Sequence, residues 1–168
     1  MKARQLTQIA FMAAIMVCVF QLCSNILYLE LITFTIVLFA SVFQKKTAIV
    51  SCIVFALLNM MVMGITLWTL LYLMIYPLYA WIIASWKLFL MKHPLCLCIV
   101  CGCLSFLCGQ LLDLPFLLFG KQATLVYVLM GLKTSLIQGI LSFVTCMLLF
   151  DPLYLQMSKL EKERGNEG

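Results

Sequence analysis

Charge is what this sequence has least of. Lys, Arg, Asp and Glu make up 10% of its 168 residues, where a soluble domain carries about a quarter. It has one histidine and six acids. That scarcity excludes an ordinary soluble domain. It also leaves little material for metal-ligating or acid–base clusters, which need His and carboxylates close together. No phosphate-binding glycine loop, nucleophile elbow or zinc-protease helix signature is present. The chain therefore reads as not an enzyme, with no metal and no cofactor of its own. Any ATP would be used by partner subunits. Alternating apolar and polar patterns are missing too, which argues against the strands of a membrane barrel.

What is present is apolar. Hydrophobic residues make up 65% of the chain and the mean hydropathy is +1.15. Continuous apolar runs cover about 6–24, 27–43, 47–63, 67–90, 95–119 and 124–150. Each is long enough to be read as a membrane-crossing helix. The expected fold is an all-α integral membrane protein: a compact bundle of six transmembrane helices forming one domain over 1–157. A charged, frayed tail follows over 158–168. Pro77 predicts a kink in the fourth span, and Asp113 with Pro115 predicts the end of the fifth. Cations set the orientation. With the N-terminus inside, Lys2, Arg4, Lys45, Lys46, Lys87, Lys92, Lys159, Lys162 and Arg164 all fall on the cytoplasmic side, out of 11 Lys and Arg. This positive-inside bias predicts a multi-pass protein of the cell membrane with both termini cytoplasmic. The opening basic residues and apolar run read as a retained first helix rather than a cleaved signal. The outer connections, 25–30, 64–68 and 113–124, hold polar and aromatic residues and mark the side where something binds.

Three charges lie in or beside spans, where charge is costly and faces protein or water. They are Glu30, Asp113 and Lys133, the last roughly 13 Å deep in the sixth span at the helical rise. All map to the outer half. Each has an ordinary alternative: interfacial placement for the acids, snorkelling or pairing for the lysine. In the sixth span Gly131, Ser135 and Gly139 form a close-packing ridge. Thr134, Gln138, Ser142 and Thr145 form a polar stripe beside it, with Lys133 at its edge. Gln138 is deep and long enough to reach a ligand. Trp68, Tyr72 and Tyr76 recur at one-turn spacing and suit either a flat heterocycle or an aromatic belt. Cys98-x-x-Cys101 suits a redox pair, but near the cytoplasmic face such a bridge is disfavoured, and Cys in lipid is most simply a small apolar residue. Ala10 and Ala14, with Cys18, form a ridge of small side chains on the first span. Such a ridge admits another backbone, from within the bundle or from a partner.

Several stretches carry a family resemblance. They are Arg4-Gln5-Leu6-Thr7-Gln8-Ile9-Ala10-Phe11-Met12-Ala13-Ala14, Leu29-Glu30-Leu31-Ile32-Thr33, and Met63-Gly64-Ile65-Thr66-Leu67-Trp68-Thr69-Leu70-Leu71-Tyr72-Leu73, within a six-span, N-inside pattern. Together they resemble the substrate-binding S components of energy-coupling factor (ECF) transporters, in a subgroup whose substrates are poorly defined. The resemblance implies capture of a vitamin or similar micronutrient near the outer face. It also implies delivery inward with a shared transmembrane subunit and two ATPases. Ala10 and Ala14 would then contact the partner, and Glu30, Trp68, Tyr72, Asp113, Lys133 and Gln138 would line the cavity. One departure stands out: that subgroup carries an acid and a His on the sixth helix where this chain has Ser135 and Gln138. Two alternatives remain, a small membrane thiol oxidoreductase using Cys98 and Cys101, and an assembly protein with no ligand. The substrate's charge stays open, because the acids suit a cation, Lys133 suits a carboxylate, and a zwitterion suits both.

Overall fold

A computed structural model describes residues 3–24, 26, 29–118 and 120–166, without the side chains at 117, 118, 123 and 163–166. Tyr28, Phe119 and Lys2 lie outside the described residues. The fold is all-α. Five helices are long and apolar enough to cross a membrane: α1 (Ala3–Ser24), α3 (Lys45–Met63), α4 (Leu67–Ser85), α6 (Pro94–Asp113) and α7 (Lys121–Asn166). Among the described residues there are also two shorter α-helices, α2 (Ile32–Val42) and α5 (Lys87–Lys92).

The second apolar run forms a shorter helix than expected. Only 11 of its residues are helical, about 16 Å at the helical rise, against a hydrocarbon core of roughly 30 Å. The cause is local. Glu30 turns its carboxylate back onto the new helix, where Oε1 accepts from the Thr33 backbone N–H and the Thr33 hydroxyl, both at 2.9 Å. A carboxylate suits this position because the first N–H groups of a helix lack partners and carry partial positive charge. Residues 29–31, before α2, are not helical. Such backbone is tolerated at membrane depth only where protein or a cavity covers it. Here α2 packs against α1, α3, α4, α5, α6 and α7, and every residue from Ile32 to Ser41 is buried.

Other boundaries follow from their residues. Gly64 ends α3 at φ +83°, a conformation that Cβ-bearing residues avoid. Thr66 and Thr69 cap the start of α4 reciprocally, through Thr69 N–H to Thr66 Oγ1 at 3.2 Å and Thr66 N–H to Thr69 Oγ1 at 2.8 Å. Pro77 lies inside α4, which continues around it to Ser85. The fourth apolar run is then interrupted at Trp86 before α5. Pro115 lies where α6 ends, in a 3-10 turn over Leu114–Leu118.

The sixth run does not close at Asp151-Pro152. α7 passes through Pro152 and runs 46 residues to Asn166. The far segment is docked rather than frayed. Leu153, Tyr154 and Met157 pack on the core, Phe150 stacks on Tyr154, and Glu161 binds Arg4 at 3.0 Å and Gln8 at 2.6 Å. The end of α7 thus sits beside the start of α1. The same end holds Lys45 against Ser85 at 2.8 Å and Lys87 on the Val42 carbonyl at 3.2 Å. Glu30, Asp113 and the Gly64–Thr66 turn occupy the opposite end.

The ridge expected on α7 does form a close contact. A Cβ at Gly139 would lie 3.0 Å from the Gly102 carbonyl oxygen, and one at Gly102 would lie 2.8 Å from that of Gly139. Ser135 fits over Gly109 in the same way and accepts from Gln110 at 2.9 Å.

Candidate functional site

A cavity of about 160 Å³ lies where α1, α2, α4, α6 and α7 converge, at the end away from the clustered cations. Phe20, Cys23 and Ser24 of α1 form one wall. Tyr72 and Tyr76 of α4, Ser105, Cys108, Gly109 and Leu112 of α6, and Gln138 of α7 form the others. Leu29 to Ile32 bring in the start of α2.

Glu30 is the polar centre. Its Oε2 accepts from the Ser105 hydroxyl while Oε1 takes the two Thr33 donors. The Ser142 hydroxyl lies 3.0 Å from the Glu30 carbonyl oxygen and 3.0 Å from Ser105 Oγ. Three helices are therefore tied to Glu30: α2 and α6 to its carboxylate through Thr33 and Ser105, and α7 to its main-chain carbonyl through Ser142. The polar stripe on α7 works partly as interhelical bonding, as Ser142 shows.

Aromatic rings make the opposite wall. Tyr72 and Tyr76 stack at 4.9 Å with planes 10° apart, and Phe20 meets Tyr72 edge-on at 5.9 Å. Phe55 of α3 backs Phe20 and Tyr76 at 5.9 and 5.7 Å. Among the described residues, the Tyr72 hydroxyl and the Gln138 side chain have no hydrogen-bond partner, so both are free for a ligand.

Of the six residues expected to line a pocket, the structure brings together Glu30, Tyr72 and Gln138. It separates the other three. Trp68 packs on Phe116 at 6.4 Å beside Pro115, one turn farther out than Tyr72. Asp113 closes over Gly131, whose missing side chain leaves room for the carboxyl. Lys133 is exposed on α7. It does not pair with either acid: Arg4–Glu161 is the one ion pair among the described residues. Sequence reasoning passed over Phe20, Ser105 and Cys108. Ser105 left a usable signal, a hydroxyl in an apolar helix on the same face as Cys101, Cys108 and Leu112.

The small-residue ridge of α1 faces outward. Ala10, Ala14 and Cys18 are exposed, while Ile9, Met12, Ala13 and Met16 are buried. Packing within the bundle uses the second set. All nine cysteines are free thiols, and Cys98, Cys101 and Cys146 are buried. No group of His, Cys, Asp or Glu among the described residues has an arrangement that would hold a metal ion. Comparison with family models, with curated proteins and with solved structures finds no match to this chain.

Proposed function

We propose that the chain is the membrane-embedded substrate-capture subunit of an ECF-type ATP-driven importer. In this reading it spans the membrane six times, with α2 as the short central crossing and both termini cytoplasmic. It takes a vitamin-like solute at the outer end and delivers it inward with a transmembrane subunit and two ATPases. The observation that carries the reading is a division of surfaces. The cavity around Glu30 lies at one end, and the exposed small-residue face of Ala10 and Ala14 lies in the half of α1 nearest the other. About 13 residues of helix, roughly 20 Å, separate Ala10 from Cys23 at the cavity. A subunit that binds cargo and docks on a transporter needs two such surfaces. A thiol oxidoreductase has weaker support, because Cys98 and Cys101 are buried and redox exchange requires an accessible thiolate.

The test is co-purification from cells that co-express the chain with the transmembrane subunit and ATPases of its own organism. The expected result is a complex that Ala10→Trp and Ala14→Trp each abolish. Leu22→Trp, on an exposed residue at the far end of α1, should leave it intact. A complex that survives both alanine substitutions refutes the contact face. Absence of any complex refutes the importer reading.

A further inference from the structure

We propose that the cavity takes a single-ring organic monocation, with Glu30 as its counter-ion; this rests on the reading of the chain as a capture subunit. The charge follows from what the site lacks. Among the described residues, Glu30 is the only charged one in the lining. Its three hydrogen-bond donors, the Thr33 N–H, the Thr33 hydroxyl and the Ser105 hydroxyl, are all neutral. Lys133, the one cation that sequence placed nearby, is exposed elsewhere on α7. An ionisable side chain kept at membrane depth without a protein counter-charge implies a partner from outside. The start of α2 supplies partial positive charge, which helps hold the carboxylate but leaves its net charge uncancelled. An anionic ligand would meet that charge in an apolar enclosure, where like charges repel strongly.

Size and shape follow from the walls. About 160 Å³ is close to the roughly 150 Å³ cavity that admits a benzene ring. A single ring fills a space of that size. The stacked Tyr72 and Tyr76 present aromatic surface, which attracts a cation through the ring quadrupole. The Tyr72 hydroxyl and the Gln138 amide offer both donor and acceptor to polar atoms on the ring. A carboxylate, a π surface and one amide thus address charge, ring and substituent separately.

The test uses the purified chain alone in lipid nanodiscs and four probes: benzylammonium, N-methylpyridinium, neutral benzyl alcohol and anionic benzoate. Calorimetric titration should show both cations binding at least ten-fold more tightly than benzyl alcohol, and benzoate not binding. Glu30→Gln should weaken the cations at least ten-fold and benzyl alcohol by much less. Leu112→Trp fills the cavity without touching the Glu30 hydrogen bonds, and it should remove binding of every probe. The proposal is overturned by equal binding of benzoate or benzyl alcohol, by cation binding that survives Leu112→Trp, or by no binding of either cation. Its failure is separable from that of the importer reading. Cation binding without a transporter complex leaves this inference standing and removes the other. A complex that captures an anionic solute does the reverse.

Discussion

α6 and α7 meet backbone to backbone, and Gly102→Ala tests how rigid that meeting is. The new methyl would lie 2.8 Å from the Gly139 carbonyl oxygen and 3.1 Å from Phe143 Cβ. Neither atom can rotate away, since one is main chain and the other is the first atom of its side chain. Restoring ordinary contact requires the helices to part by about half an ångström. Overpacking of this kind costs about 1–3 kcal/mol. Alanine regains up to ~1 kcal/mol of helix propensity in water, but little of that applies in lipid, where the backbone is already held helical. The net loss is about 1–2 kcal/mol, which for a chain of this size lowers the melting midpoint by roughly 2–8 °C. The protein supplies its own reporter: six cysteines, Cys23, Cys52, Cys98, Cys101, Cys108 and Cys146, are buried free thiols. A thiol-reactive dye will follow their exposure on heating. Cys103→Ala, at an exposed neighbouring position, should shift the midpoint by less than about 0.5 kcal/mol equivalent. A Gly102→Ala protein that melts with or above the parent would refute the claim that this crossing is incompressible.

Two further outcomes can be checked by the same means. Asn59 is 1% exposed, and neither amide atom has a partner among the described residues. Asn59→Leu keeps the branched shape and heavy-atom count and removes the unsatisfied groups, so the midpoint should rise by up to about 1–3 kcal/mol equivalent, less the cost of its bulkier methyls; a fall larger than that overpacking cost would mean the amide is bonded in the membrane. Arg4→Ala removes an ion pair whose side chains are 42% and 33% exposed, which is worth at most ~1 kcal/mol. Its midpoint should barely move, while hydrogen exchange over 153–166 quickens. Unchanged protection there would show that the apolar contacts of Leu153, Tyr154 and Met157 hold the segment alone.

Much of the architecture is legible in hydropathy, because a lipid-embedded helix must be apolar along its length. The break at Pro115 and the close-packed face of Gly131, Ser135 and Gly139 are also legible, since both depend on local stereochemistry. α2 is not. Its apolar run looks like the others, and hydropathy does not distinguish a helix that faces lipid from one enclosed by protein. The continuation of α7 past Pro152 is hidden for a similar reason: what holds it is contact with Arg4, Gln8 and the core, more than a hundred residues away in sequence. Lys133 is a different case. At about 100° per residue it points about 140° from Gln138 and about 180° from Ser142, so its distance from the cavity was available from angle alone. Trp68 shows the limit of that arithmetic. It shares a face with Tyr72, but one turn of height carries it off the cavity and onto Phe116.

α2 meets no lipid over ten consecutive residues. Its only solvent is the rest of the protein, so the thickness of the bilayer acts on the helices around it and not on α2 itself. When those helices tilt to match a thinner or thicker membrane, α2 stays a fixed post among moving walls. Glu30 is fastened to the top of that post. The carboxylate therefore keeps its height and direction while the membrane changes.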